Sequence, residues 1–118
     1  ALPYPPCRFS PRRMSSHDLS PADYVAQRDP SAPLLDVRTP AEYAEGHLAG
    51  SVNVDVMAPD FLERVQAMGL PEAGPVYLYC RSGNRSGHAA NALKRLGHAG
   101  ALNVGGFDAL AKAGAETA

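Results

Sequence analysis

Short apolar runs alternate along this chain with signals that start and stop helices. The run Leu34–Val37 is followed by Thr39-Pro40-Ala41-Glu42, which has the spacing of a capping box and a proline at the first helical position. A second run, Val76–Tyr79, is apolar throughout, which is typical of a strand covered on both faces. Strands that alternate with helices at such short spacing form right-handed βαβ units. The sequence therefore predicts an α/β domain with a mainly parallel sheet of about five short strands.

The remaining elements follow from the same signals. Helices are predicted where caps precede an apolar face, and strands where short apolar runs end at Gly or Pro. The predicted helices are 21–28, 40–45, 59–68 (with Phe61, Leu62, Val65 and Met68 on one face), 84–96 and 107–113. The clearest strand signals are at 34–37, 52–54, 76–79 and 101–104, with a turn at Gly105-Gly106.

The length of 118 residues allows one compact domain. We expect residues 15–118 to form it. Residues 1–14 are rich in proline and have no apolar periodicity, so we expect a flexible leader without a function of its own. This leader has no apolar core of the kind that marks a secretory signal.

Charge and cysteine content narrow the classes of partner and compartment. A formal net charge of −1 provides no field to attract a nucleic acid, and no stretch is apolar for long enough to cross a bilayer. We therefore expect neither nucleic acid nor membrane as a partner. The two cysteines, Cys7 and Cys80, do not indicate a disulfide framework, which favours a reducing, cytoplasmic compartment.

Cys80 ends an apolar run and opens a polar segment that leads into a helix. Ligands bind at the carboxyl ends of strands in parallel sheets, so the thiol is expected there, with a helix N-terminus directed at it. A glycine at position 83 permits a positive φ, which turns successive N–H groups inward. These groups and two flanking guanidinium groups favour a thiolate, and hence a nucleophilic Cys80. The residues expected to bind an anionic substrate are Arg81, Ser82, Gly83, Asn84, Arg85 and Ser86.

Other chemistries fit the residues less well. A cysteine buried at a strand end is the structural alternative for Cys80, but it would not require so polar a following segment. His88 falls on the emerging helix, where a solvent-facing or packing imidazole is expected rather than the base of a cysteine protease. The chain has no Cys-x-x-Cys or His-x-x-x-His spacing for a metal and no glycine-rich nucleotide motif.

Three stretches, in order, resemble the signatures of the single-domain rhodaneses, a family of sulfurtransferases. The first joins Leu34–Tyr43 to Gly46–Val54, the second is Cys80–Ser86, and the third is Gly105-Gly106-Phe107 with Ala113-Gly114. The second is similar to the active-site loop of many bacterial members. The closing motif departs from the family, which often has a Trp there, because Leu110 stands near that place and the chain has no Trp.

The resemblance implies a three-layer α/β/α rhodanese-like fold and a persulfide cycle. The Cys80 thiolate would take one sulfur from a small anionic donor such as thiosulfate, and a thiol, cyanide or a protein acceptor would remove it. Arg81 and Arg85 would attract the donor, while the loop amides would stabilise sulfur anions. The resemblance implies no cofactor and no metal.

Two other functions stay open at this stage. Related cell-cycle control phosphatases resemble this fold, but their loop has one more residue between Cys and Arg than the four that separate Cys80 from Arg85. The shorter ring offers fewer N–H groups to a tetrahedral phosphoryl centre, which favours sulfur transfer over hydrolysis. The other is a rhodanese-like binding or sulfur-carrier module without turnover. Retention of the cysteine with both arginines favours catalysis over that role.

A charged cluster follows the first strand. We expect its members to pair with one another and fix the turn rather than to take part in catalysis. They are Asp36, Arg38, Glu42 and His47. Ser86 has the alternative role of capping its own helix.

Overall fold

Four parallel strands form the centre of the molecule in the computed structural model, which describes residues 19–72 and 74–118. They are β1 (Leu34–Asp36), β2 (Val52–Asn53), β3 (Val76–Cys80) and β4 (Ala101–Gly106). Their order in the sheet is β2-β1-β3-β4. The predicted parallel sheet is confirmed, with four strands in the described residues where about five were expected.

In the part of the chain that the structure describes, five helices connect or flank these strands. They are α1 (Pro21–Gln27), α2 (Pro40–Glu45), α3 (Phe61–Ala67), α4 (Asn84–Arg95) and α5 (Phe107–Ala113). The capping box predicted for α2 is complete, because the Thr39 side chain accepts from the Glu42 N–H and the Glu42 side chain accepts from the Thr39 N–H. At α1, the Ser20 hydroxyl oxygen accepts from the Asp23 N–H.

The two faces of β3 divide the core in two. Alternate residues Val76, Leu78 and Cys80 belong to one buried cluster, which also contains apolar residues of α3 and α4. Tyr77 and Tyr79 belong to the other cluster, which contains residues of α1 and α5. The sheet therefore lies between two helical layers, as the three-layer α/β/α fold requires.

Two local predictions differ from the structure in more than the limits of an element. Leu62 is 45% exposed rather than buried, because α3 starts at Phe61 and turns Phe61 and Val65 inward instead. Gly105-Gly106 is not a separate turn but the end of β4. There Gly106 pairs with Cys80 across a shift in strand register.

Some predictions concern residues that the structure does not describe. The leader, residues 1–14, and Cys7 within it lie outside the described residues. Within the described part, no helix is both long enough and apolar enough to cross a membrane.

Candidate active site

Cys80 is the last residue of β3, and its side chain is fully buried at the carboxyl end of the sheet. Its Sγ accepts a hydrogen bond from the Gly83 N–H at 3.0 Å and lies 3.4 Å from the Ser86 hydroxyl oxygen. Gly83 has φ +94° and caps the first turn of α4, in the left-handed conformation expected for it. The short loop thus bends back so that the helix N-terminus faces the sulfur.

Hydrogen bonds determine the acidity of this thiol. Burial alone raises the pKa of Cys80, but the Ser86 hydroxyl and the backbone N–H groups of Ser86, Ser82 and Gly83 outweigh burial and hold the pKa below its ordinary value. All of these donors favour the thiolate. These hydrogen bonds come from the loop itself, and the positive charge of Arg85 also interacts with the Cys80 thiolate.

Ser86 is completely buried and does not cap its helix; instead it connects the loop to β4. Its hydroxyl donates to Asn103 Oδ1 at 2.7 Å, while Sγ of Cys80 is its other acceptor. The hydroxyl has a single hydrogen, so the two acceptors compete for it. Asn103 also donates to the Gly83 carbonyl oxygen at 2.8 Å and accepts from the Gly105 N–H, which fixes the loop against the strand.

The two arginines of the loop lie close to one carboxylate. The Arg85 guanidinium donates twice to Glu42, with distances of 2.9 Å to Oε1 and 3.0 Å to Oε2. Arg81 is largely exposed, with its Nε 3.5 Å from Glu42 Oε2. Hydrogen bonds from Arg85 lower the pKa of Glu42 to about 2, with further help from Thr39. Glu42 therefore belongs to the site and does not merely fix the turn after β1.

The other loop residues face outward. Ser82 and Asn84 are exposed, as is His88 farther along α4, which agrees with the solvent-facing role expected for that imidazole. Ser82 contributes its backbone N–H to the sulfur environment. The loop therefore brings its main chain, rather than all of its side chains, to Cys80.

Asp36 and Arg38 have the structural role expected of them. They form a buried ion pair in which Arg38 also donates to the Gly46 carbonyl oxygen. His47 stacks on the Tyr43 ring, with its Nδ1 2.9 Å from the Tyr43 carbonyl oxygen. Within residues 19–72 and 74–118, no three His, Cys, Asp or Glu side chains come together as metal ligands would.

The loop packs against β4 with almost no space between the two backbones. A methyl group at Gly106 would fall on the Arg81 carbonyl oxygen, and one at Gly83 would lie 3.3 Å from the Gly105 Cα. The glycine pair at positions 105 and 106 is therefore part of the site, because it allows the loop to approach the strand.

Sequence reasoning missed two residues of the site. Glu42 had a sufficient local explanation in its capping box, and its pairing with Arg85 depends on tertiary structure alone. Asn103 had one usable signal, which was a polar side chain within an otherwise apolar strand.

Comparison with known proteins gives consistent results. The profile of the rhodanese-like domain family matches residues 20–113. The chain is similar to thiosulfate sulfurtransferase 16, chloroplastic, of Arabidopsis thaliana, with 39% identity over 93 residues that cover 70% of this chain and 77% of that protein. It is also similar to thiosulfate:glutathione sulfurtransferase of Saccharomyces cerevisiae, with 39% identity over 74 residues, 55% of this chain and about half (53%) of the yeast protein.

A solved structure agrees in fold. A rhodanese-related protein from Thermoplasma volcanium superposes with a TM-score of 0.72 at 25% identity. The superposition covers 87% of this chain and 98% of that one.

Proposed function

Because the chain belongs to the rhodanese-like domain family, we propose that it is a sulfurtransferase that carries one sulfur atom as a persulfide on Cys80. The observation that carries this proposal is the ring of hydrogen-bond donors around Sγ, which holds the pKa of the thiol below its ordinary value. Sulfurtransferase relatives from a plant and a yeast support the reaction class.

In the first half-reaction the Cys80 thiolate attacks the terminal sulfur of thiosulfate or a similar small anionic donor. The new Sγ–S bond forms as the donor's S–S bond breaks, and sulfite leaves with the bonding electron pair. The negative charge moves from Sγ to the outer sulfur of the persulfide. The N–H groups of Ser82, Gly83 and Ser86 stabilise the thiolate before the attack.

In the second half-reaction a thiolate or cyanide attacks the outer sulfur. The bond between that sulfur and Sγ breaks, and the electron pair returns to Cys80 as a thiolate. The same donors that make Cys80 acidic make it a good leaving group in this step. The name of the yeast relative pairs thiosulfate with glutathione, so we propose a thiol as the acceptor, and a protein thiol belongs to the same chemical class.

The burial of Cys80 restricts the electrophile. A terminal sulfur is a single narrow atom that can approach a recessed thiolate, whereas an internal disulfide is flanked by carbon on both sides. The fully buried side chain therefore favours donors that end in sulfur. We propose that residues 15–118 act as one domain in this reaction, with the six loop residues from Arg81 to Ser86 as the binding site for the donor.

Intact-protein mass spectrometry tests the proposal. All variants carry Cys7→Ser, so that Cys80 is the only thiol. After incubation with thiosulfate, this protein should gain the mass of one sulfur atom and lose it on addition of cyanide. The matched Cys80→Ser variant should gain none.

Two results would contradict the proposal. The first is an unmodified Cys80 after incubation with thiosulfate and with an alkyl persulfide, which would leave a binding module without turnover. The second is hydrolysis of a phosphate ester that depends on Cys80 without any sulfur uptake, which would indicate a phosphatase. The pairing of both terminal nitrogens of Arg85 with Glu42 disfavours the second outcome, because that guanidinium is already engaged.

A further inference from the structure

The charges around Cys80 nearly cancel. Arg81 and Arg85 supply two positive charges, and Glu42, in contact with both, supplies a negative one. The Cys80 thiolate cancels the positive charge that remains. Asp55 adds a further negative charge whose field reaches Arg85. A donor approaching the sulfur therefore meets a site with no net positive charge.

The negative charge of Glu42 is a fixed part of this site. The bonds from Arg85 lower its pKa to about 2, so the carboxylate is ionised over the whole working pH range. The Thr39 N–H and hydroxyl also donate to Oε1, each at 3.1 Å. The side chain is thus anchored in α2 and held against Arg85 at the start of α4.

Coulombic repulsion from such a group scales with the charge of the donor. Thiosulfate carries two negative charges, and a thiosulfonate or a simple alkyl persulfide carries one. A carboxylate beside the loop therefore penalises thiosulfate about twice as much as a monoanion. In a site without Glu42, two unpaired guanidinium groups would favour the dianion instead.

We propose that Glu42 determines the donor specificity of this site by neutralising Arg85, so that the site selects sulfane-sulfur donors with one negative charge over dianions. This inference rests on the proposed sulfurtransferase function. A residue that merely positions Arg85 for anion binding would favour dianionic donors, whereas we assign Glu42 the role of disfavouring them.

The two donors that test the idea deliver the same atom. From thiosulfate, the Cys80 thiolate takes the terminal sulfur and releases sulfite with the electron pair of the broken S–S bond. From methanethiosulfonate, it takes the terminal sulfur and releases methanesulfinate in the same way. The product on the protein is identical, but the leaving groups differ in reactivity. That difference is the same for every protein variant, so a change in the ratio of the two rates on substitution of Glu42 reports the charge and shape of the donors.

The experiment compares kcat/KM for the two donors in Glu42→Gln, which keeps an acceptor for the Thr39 N–H. We expect kcat/KM for thiosulfate to rise on the order of tenfold and that for methanethiosulfonate on the order of threefold. The preference for thiosulfate should therefore increase about threefold. Glu42→Asp, which keeps the charge, should retain the original preference. Glu45→Gln removes an exposed carboxylate at the end of α2 and should change neither value.

Binding provides a readout that does not depend on turnover. In a Cys80→Ala background, calorimetry should show that Glu42→Gln increases the affinity for thiosulfate. The affinity for methanethiosulfonate should increase less. An unchanged or lower preference for the dianion in both assays would overturn the role of Glu42 while leaving the sulfurtransferase proposal intact. Failure of the parent protein to take sulfur from either donor would contradict the sulfurtransferase proposal, and the binding comparison would still decide the role of Glu42.

Discussion

At the scale of single residues, a few hydrogen bonds from the loop lower the pKa of Cys80. Among the described residues, Ser86 is the one side chain that donates to its sulfur, and the other donors are backbone N–H groups of the loop. A hydrogen bond to an anion is stronger than one to a neutral group. Loss of the Ser86 hydroxyl therefore affects the thiolate more than the thiol.

Ser86→Ala should raise the pKa of Cys80. The thiolate is the reactive form, so the acidic limb of the activity profile should move to higher pH, and sulfur uptake below the new midpoint should become several-fold slower. Ultraviolet absorbance of the thiolate during a pH titration measures the midpoint in a Cys7→Ser background. Ser31→Ala is the matched control, because Ser31 lies in an exposed turn that precedes β1, at the opposite end of the sheet. An unmoved midpoint in Ser86→Ala would refute the role of the hydroxyl.

Residues of the site that are neighbours in sequence were predicted, and residues that other elements contribute were not. Cys80 and its loop were identified because a reactive thiol needs local donors, and local donors follow one another in sequence. Glu42 lies 43 positions from its partner Arg85, and the intervening chain gives no sign that α2 and α4 meet. Asn103 is likewise supplied by a different strand.

At the scale of elements, the pair between Glu42 and Arg85 joins α2 to the start of α4. The folded-state pKa of Glu42 is about 2, below its ordinary value of 4.5. Ionised Glu42 therefore stabilises the folded state above pH 4.5, and this contribution is lost as the pH falls toward 2.

In Glu42→Gln, the free energy of unfolding should no longer show the loss at low pH that protonation of the Glu42 carboxylate causes. Urea unfolding at pH 7 and at pH 3 should show a smaller loss of stability for Glu42→Gln than for the parent protein. Glu45→Gln, on the same helix but exposed, should lose as much as the parent. Equal losses in all three proteins would show that the ion pair contributes nothing to folding.

The contact between the loop and β4 gives a second prediction at this scale. Gly106→Ala places a methyl group against the Arg81 carbonyl oxygen, so the loop must move away. We expect a loss of about 1–3 kcal/mol in unfolding free energy and a higher thiol midpoint, because displaced N–H groups no longer reach Sγ. Gly74→Ala is the control, since its methyl group would meet Pro71 Cβ at an ordinary 3.6 Å. If Gly106→Ala has the unfolding free energy and the thiol titration midpoint of the parent protein, this account is wrong.

Most elements were predicted from sequence because their limits have local causes. The limits of α5 agree at both ends, and α1 and α4 end one residue earlier than predicted. The larger differences occur where tertiary contacts determine the end of an element or the face that it buries. β4 continues through its glycines because Gly106 pairs with Cys80, and α3 turns Leu62 outward because Phe61 and Val65 fill the core.

At the scale of the whole molecule, a buried polar network joins the sheet to the segment after α2. Asp36 accepts from both Arg38 and the Tyr79 hydroxyl, and that hydroxyl accepts from the Leu48 N–H. Ser51 lies 3.2 Å from the same hydroxyl. One phenol thus holds together residues of β1, β3 and the chain between α2 and β2.

Tyr79→Phe should destabilise the whole fold. It leaves the Leu48 N–H without this acceptor and removes one of the donors to Asp36, which keeps its bonds from Arg38. The site is buried, so we expect a loss of about 1–3 kcal/mol in urea unfolding. Tyr77→Phe is the matched control, because its hydroxyl accepts one part-buried bond from the Asp29 N–H, and about 1 kcal/mol or less should be lost. A larger loss in the control would refute the importance of the network.

Three side chains of the Cys80 loop are absent from the hydrogen bonds that lower the pKa of Cys80. Backbone N–H groups and the Ser86 hydroxyl stabilise the sulfur, while the side chains of Ser82 and Asn84 are exposed and that of Arg81 is largely exposed beside Glu42. Evolution can therefore replace these three side chains to suit a new partner without sacrificing reactivity. Natural variation among descendants of this protein should accumulate at those three positions, and redesign of its selectivity has the same freedom.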